Sequence, residues 1–368
     1  MPGVLVHEWI AQDGGSENVL QAMSETFPDS EIHCLWNDSR GRFDPDRVRE
    51  SVLARTPLRR HKAAALPMMP VVWRTLRYRS YDWALISSHA FAHHARFRGA
   101  PSDFRRFVYV HTPARYVWTR SHDARGDHPV ARAVSCALRP LDRRRTREGA
   151  EFAANSAFVR DRMRRTWGVD ARVIHPPVHV EAILAVPDWR DRLDAHEAAV
   201  LDALPEGFLL GASRFIPYKR LHDVIRTGEA TGRPVVLAGR GPSLPELQAA
   251  AATATVPVRF VHSPSDALLH ALYQAADVYV FPAVEDFGIM PVEAMAAGAP
   301  VLAQRAGGAA ESVVHGVTGA LVGFDDLDEL RAGVATALAT RREDRIARAR
   351  RFAAMRFRRE IREWVRAA

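Results

Sequence analysis

Lysine is nearly missing from this sequence. Of its 51 basic residues only Lys62 and Lys219 are lysines; the rest are arginines. With alanine abundant as well, that excess points to a GC-rich genome. Arginine runs such as Arg143-Arg144-Arg145 therefore carry little weight as a nucleic-acid signal, and no nucleic-acid partner is expected. Cysteine is scarce too. Cys34 and Cys136 are the two present, with no metal-ligand spacing around either. That excludes a disulfide scaffold and leaves two unpaired, buried thiols in a cytosolic chain as the expectation. No apolar run approaches ~20 residues, the length a helix needs to span a bilayer. No charged segment or cleavage site precedes Val4-Leu5-Val6, so no leader peptide is expected. There is no internal repeat and no low-complexity tail. No nucleotide-bound metal is expected.

What is present fits two domains. A chain of 368 residues can bury two full cores, and 47% apolar content is ordinary for a globular protein. The formal net charge of +8 is unevenly spread. Residues 1–180 carry 29 basic against 19 acidic residues, a net of +10, and residues 181–368 carry 22 against 24, a net of −2. The basic half suits an anionic membrane or an anionic acceptor.

The most informative stretch is residues 281–302, F-P-A-V-E-D-F-G-I-M-P-V-E-A-M-A-A-G-A-P-V-L. The run Asp277-Val278-Tyr279-Val280-Phe281 reads as a buried strand. A loop with Glu285, Asp286, Phe287 and Gly288 follows. Pro291 suits a first helical position, and Gly298 suits the helix end. Free N–H groups at a helix start favour an anion. Two carboxylates beside them, Glu285 and Glu293, suit hydroxyl groups. A ligand carrying both polyol and phosphate matches the pair. Taken singly, each acid reads more readily as a solvated loop residue or a dipole-complementing one.

Elsewhere, strands alternate with helices. Val4-Leu5-Val6-His7 leads through Gly14-Gly15-Ser16-Glu17 into an apolar-periodic helix. The glycine pair lets backbone approach a phosphate closely, and Ser16 suits the N-cap. Such glycines in βα turns are mostly structural. Residues 57–81 interleave Arg59, Arg60 and Lys62 with Leu66, Met68, Met69, Trp73 and Tyr78. This is either a core helix with a basic face or an interfacial, lipid-headgroup surface. The strand Arg106-Phe107-Val108-Tyr109-Val110 ends at His111, where ligands of open α/β sheets bind. Phe208-Leu209-Leu210-Gly211-Ala212 opens the second half and leads to Arg214 and Lys219. Lysine in so arginine-rich a chain suits a site that wants a compact charge. Val235-Val236-Leu237-Ala238 runs into the turn Gly239-Arg240-Gly241-Pro242.

The whole 22-residue string resembles the signature of the retaining, GT-B-fold glycosyltransferases of family 4. His7-Glu8-Trp9, Gly14-Gly15-Ser16-Glu17 and H-T-P-A-R-Y-V-W at 111–118 agree with it in order, the last resembling the mannosyltransferase branch. The resemblance implies a GT-B fold: α/β, with two doubly wound parallel-sheet, Rossmann-like domains facing across a cleft. Residues 1–180 would be the acceptor-binding domain, with the C-terminal helix 352–368 packing back on it. Residues 181–351 would be the domain that binds the nucleotide-sugar donor. The implied reaction moves a sugar from a nucleotide diphosphate, GDP-mannose above others, to an acceptor hydroxyl with retention. The acceptor would be a glycolipid, polysaccharide precursor or glycan.

The resemblance also implies the roles. Arg214 and Lys219 would stabilise the departing diphosphate without metal or cofactor. Glu285 would meet the donor sugar hydroxyls, and Glu293 the ribose. The backbone of Phe287, Gly288 and Ile289 would line sugar and phosphate, with Gly14, Gly15, Gly239 and Gly241 near the donor. His111 would orient the transferred sugar. Arg59, Arg60, Lys62 and Trp73 would face the acceptor or an anionic membrane, placing the protein in the cytoplasm or on the inner face of the plasma membrane. Alternatives remain: a natural-product enzyme using another nucleotide sugar and a small-molecule acceptor, a sugar-nucleotide epimerase, or a non-catalytic binding protein on the same fold.

Overall fold

The computed structural model describes residues 3–12, 14–118 and 129–367. The chain forms two compact units, Met1–Pro177 with Met355–Ala368, and Val178–Ala354.

In the first unit seven strands form one parallel sheet. They are β1 (Gly3–His7), β2 (Glu31–Cys34), β3 (Val48–Glu50), β4 (Trp83–Ser88), β5 (Arg105–Val110), β6 (Glu151–Ala154) and β7 (Arg172–Val173). Their order is β3-β2-β1-β4-β5-β6-β7. β1 and β4 are buried along their whole length, as strands covered on both faces must be. The chain runs outward from β1 to β3, then returns to lay β4 beside β1, with His7 opposite Ser87. Ligands of such sheets gather beyond the carboxyl ends at this reversal. The edge strand β3 was not expected from the sequence. It has three residues, of which two are exposed, so no apolar run marks it.

The helix Ala354–Arg366 belongs to this unit. Phe357, Ile361, Trp364 and Val365 repeat at helical spacing and are buried with Leu5, Leu85 and Phe107. Cys34 is buried, but Cys136 is exposed on the helix Pro129–Thr146, which corrects the expectation of two buried thiols.

The second unit has six parallel strands: β8 (Leu209–Ala212), β9 (Val235–Gly239), β10 (Val258–His262), β11 (Val278–Phe281), β12 (Val301–Gln304) and β13 (Gly319–Val322). Their order is β10-β9-β8-β11-β12-β13. The reversal falls between β8 and β11. The loops leaving these two strands carry Arg214 and Lys219 on one side and Glu285 to Gly288 on the other. Among the described residues no helix is long and apolar enough to cross a membrane.

Candidate functional site

After β8 the chain enters a single 3-10 turn, Pro217–Lys219, closed by Arg220 in a left-handed conformation at φ 54°. The turn leaves Lys219 buried. Its ammonium donates to a carboxylate oxygen of Glu285, 66 residues away in sequence. It also stands 5.9 Å from the ring of Phe281 and 5.5 Å from that of Tyr218. Arg214 is exposed, and its guanidinium donates to the Tyr218 hydroxyl at 3.2 Å.

Gly239 and Gly241 support this loop. A Cβ on Gly239 would stand 1.9 Å from the carbonyl oxygen of Ser213, and one on Gly241 2.3 Å from that of Phe215. Only glycine lets the two backbones lie this close. The Phe215 N–H donates to the Arg240 carbonyl at 2.8 Å and so closes the contact around Arg214.

Beyond β11, Phe287 is buried and packs on Phe352 at 5.5 Å between ring centroids. Gly288 then caps the helix Ile289–Ala297 in a left-handed conformation, with no side-chain hydrogen bond at the cap. Pro291 is the third helical residue rather than the first, and Glu293 the fifth. A proline is tolerated there because the N–H it lacks would find no partner within the helix. Glu293 is half-buried. Burial first, and the nearby Asp266 carboxylate second, push its carboxyl up to about 7.

In the first unit, Gly14 rather than Ser16 caps the helix Gly15–Thr26. The Ser16 hydroxyl instead donates to Glu17 at 2.7 Å, while the other Glu17 oxygen accepts from the Ala11 N–H at 3.1 Å. His111 is half-buried just past β5, and its Nε2 lies 2.8 Å from the Ser87 hydroxyl. Glu8 is fully buried and accepts from the N–H groups of Ala90 and Ala92, each at 2.7 Å. Those bonds fix the loop after β4. Its carboxyl is raised, because burial penalises the charged form more than these bonds favour it.

His93, His94 and Asp142 lie close enough together to hold a metal ion. The atoms that face one another are already hydrogen-bonded. Both Nε2 atoms hydrogen-bond Asp142 at 2.8 and 2.9 Å, and the Trp118 and Trp167 indoles donate to its other oxygen at 2.7 Å each. The cluster is a buried knot that ties the helix Pro129–Thr146 to the segments around it.

The basic stretch divides. Arg60 and Lys62 are exposed, with Lys62 4.6 Å above the Trp9 ring. Arg59 is drawn in by Asp38 at 2.6 Å. Trp73 is fully buried in the core with Met69 and Phe91. An enclosed indole cannot meet a lipid or an acceptor, so its expected place on that surface is corrected. The apolar side chains that do face solvent nearby are Val52, Met68 and Val71.

Residues 13–182 match the family described as Glycosyltransferase Family 4, and residues 197–352 that described as Glycosyl transferases group 1. The chain belongs to glycosyltransferase family 4. It is 33% identical over 200 residues to a GDP-mannose-dependent alpha-(1-6)-phosphatidylinositol monomannoside mannosyltransferase of Mycolicibacterium smegmatis, covering 50% of this chain and 52% of the relative. The like-named Mycobacterium tuberculosis protein is 30% identical over 230 residues, covering 58% and 57%. The chain thus spans about half the length of the curated relatives it matches. Among solved structures, Anabaena HepE in complex with UDP-glucose superposes over 100% of both chains, with a TM-score of 0.70 at 19% identity. The fold of this family-4 chain is therefore GT-B, α/β with two Rossmann-like parallel sheets.

Two residues that contact the candidate residues, one in each unit, escaped the sequence reading of this family-4 chain. Gly308 donates its N–H to the Glu285 carbonyl at 2.8 Å, and a Cβ there would stand 2.2 Å from the Asp286 carbonyl oxygen. The pair Gly307-Gly308 was visible, but nothing in the sequence linked it to the Glu285 loop. Ser87 lies within a strand and carried no signal at all.

Proposed function

We propose that the protein transfers a sugar, mannose from GDP-mannose in the first instance, to an acceptor hydroxyl with retention of configuration. The observation that carries this reading is the Lys219–Glu285 pair beside the helix start at Gly288. A buried ammonium, an exposed guanidinium at Arg214 and a helix start without a side-chain cap provide positive charge for a diphosphate. Charge builds on that diphosphate as the sugar leaves as an oxocarbenium-like species, so fixed cations there lower the barrier. The incoming phosphate would draw Lys219 from Glu285 and free that carboxylate for the sugar hydroxyls. Glu293 would accept from the ribose, and the backbone of Phe287, Gly288 and Ile289 would line the donor. Gly239 and Gly241 would act through the Arg214 loop, and Gly14 and Gly15 through the first helix of the other unit. His111 would orient the transferred sugar. No metal is required for these roles.

The mannosyl donor is favoured by the names of the curated relatives. The acceptor would be lipid-linked, with Arg60, Lys62 and the exposed Met68 and Val71 meeting an anionic membrane. Thermal unfolding against a panel of nucleotides tests the donor: GDP should raise the midpoint more than UDP or ADP, since a ligand of the native state stabilises it. Sugar transfer from GDP-mannose should persist in EDTA. Complete loss on chelation, restored by Mg²⁺ or Mn²⁺, rejects the metal-free reading. Retention is read from the anomeric NMR signal of the first product.

A further inference from the structure

One cavity of the first unit takes no part in the roles assigned so far. It measures about 800 Å³. Among the described residues its lining includes five arginines, Arg96, Arg139, Arg143, Arg144 and Arg147, and a single acid, Glu148. Arginine is abundant throughout this chain, so its number decides nothing here; its arrangement does. Arg139 and Arg143 lie one turn apart on the helix Pro129–Thr146. Each is pinned through Nε to a backbone carbonyl, Arg139 to Val117 at 3.0 Å and Arg143 to Thr166 at 2.7 Å. Both guanidiniums stand over the ring of Trp118, at 5.4 and 5.1 Å. Trp118 is itself held, because its indole donates to the buried Asp142. The knot of His93, His94 and Asp142 thus braces the platform on which two cations rest. The terminal nitrogens of both forks meet no hydrogen-bond partner among the described residues.

Like charges one helical turn apart repel. The acid in the cavity does not offset them. Glu148 is committed to Arg74 at 2.5 Å and Arg145 at 2.6 Å, neither of which is in the lining, and reaches Arg96 at 3.5 Å. Arg144 and Arg147 are exposed and make no side-chain hydrogen bond or ion pair among the described residues. A helix end favours cations, which accounts for Arg143 to Arg145 in the last turn. It does not account for Arg139, a turn earlier, or for Arg96, which comes from another segment. The place is also separate from His111. Glu148 stands just ahead of β6, and its carbonyl accepts from the Arg106 guanidinium at the start of β5. His111 follows the far end of β5.

We propose that this cavity binds a polyol carrying at least two phosphates, free or as the headgroup of a lipid. Planar forks match phosphate oxygens two at a time. Side chains already pinned through Nε lose little freedom when a ligand arrives. The volume is that of a small-molecule site. Five guanidiniums exceed what one phosphate, with a charge of about −2, can neutralise.

Calorimetric titration of the full chain with fructose 1,6-bisphosphate reads the free form, and sedimentation with cardiolipin vesicles reads the headgroup form. Glucose 6-phosphate, with one phosphate, should bind about tenfold more weakly than the bisphosphate. Arg139→Gln and Arg143→Gln together should weaken binding about a hundredfold, since two charge-assisted bonds are lost. Lysine at both positions keeps the charge but not the fork, and should restore only part. Arg144→Gln with Arg147→Gln, at exposed positions without side-chain partners, should weaken binding about tenfold or more and leave the melting point unchanged. Iodoacetamide reads the place. Cys136 lines the cavity and is exposed, while Cys34 is buried, so a bound probe should slow alkylation of Cys136. Binding of one probe and not the other names the source of the phosphates. Failure of both at low salt overturns the inference. Binding that survives Arg139→Gln with Arg143→Gln overturns it, and so does full rescue by the lysine pair, which needs only diffuse charge. Protection of Cys136 by an RNA oligonucleotide at lower concentration than by either probe overturns it in favour of a nucleic-acid surface. Sugar transfer enters none of these readouts, so the inference and the proposed function stand or fall separately.

Discussion

Lys219 holds a compact cation in a buried place against a carboxylate, in a chain that otherwise uses arginine. A planar fork would not fit the same turn, because its five donors need partners over a wider area. Lys219→Ala should lower turnover by roughly two to three decades, the scale of one charge-stabilising group. Lys219→Arg should restore only part of it. Wild-type turnover in the alanine variant would remove Lys219 from the diphosphate site. Glu293 makes a separate prediction. Its carboxyl titrates at about 7 in the fold, against about 4.3 in an unfolded chain. Between those values the folded chain keeps a proton that the unfolded chain has lost. This group's contribution to stability is thus full below the unfolded value and is lost as pH rises through 7. Glu293→Gln cannot ionise. Thermal unfolding from pH 5 to pH 8 should show the variant gaining on wild type as pH rises, and parallel curves would contradict the burial argument. A ribose bound to this carboxylate needs its charged form, so GDP affinity in wild type should increase across the same range and stay flat in Glu293→Gln.

At the scale of elements, the site of the second unit is two loops held in place by glycine contacts. Gly308 has an ordinary helical backbone, so its constraint is space alone: a methyl group there runs into the Asp286 carbonyl. The backbone of residues 285–288 must shift to make room. Gly308→Ala should cost about 1–3 kcal/mol of stability, as overpacking does, and weaken GDP binding as Glu285 and Gly288 move. Calorimetric titration with GDP, beside a melting curve, separates the two effects. A melting point that falls while GDP affinity holds would show that the loop is not a ligand contact. This dependence between loops also marks where sequence reading stops. The strand Val278–Phe281, the loop and the helix after it were legible, because burial, a proline and two glycines punctuate them locally. So was the alternation of strands and helices that gives the fold. The Lys219–Glu285 bond was not, since it joins loops 66 residues apart through the sheet order. Nor was the burial of Trp73. The helix Met69–Val72 has four residues, too few for a periodicity to show which side faces the core. Ser16 failed as a cap because the helix already starts at Gly15, which makes Ser16 its second residue.

For the whole molecule, charge is the property that divides the chain. Residues 1–180 carry the net of +10 and residues 181–368 a net of −2, while the groups assigned to the donor diphosphate all lie in the second set. Function and charge therefore separate along the sequence, which makes membrane contact testable without disturbing donor binding. Within the basic set, exposed Arg60 and Lys62 stand in the same segment as exposed Met68 and Val71. Cations with exposed apolar side chains in the same segment suit the boundary between headgroups and acyl chains. Each base near an anionic surface contributes about 1 kcal/mol of attraction, and salt screens it. Arg59 is left out of the test because Asp38 already holds it. Arg60 and Lys62 changed together to Gln should weaken binding to anionic vesicles about tenfold or more, since two such contributions are removed. Sedimentation with phosphatidylinositol-containing against neutral vesicles, at low and high salt, reads this directly. GDP affinity measured on the same samples should not change. Should the wild-type chain ignore anionic vesicles even at low salt, the acceptor is not presented at a membrane by this surface. A soluble acceptor then becomes the reading to pursue, with the donor half of the proposal intact.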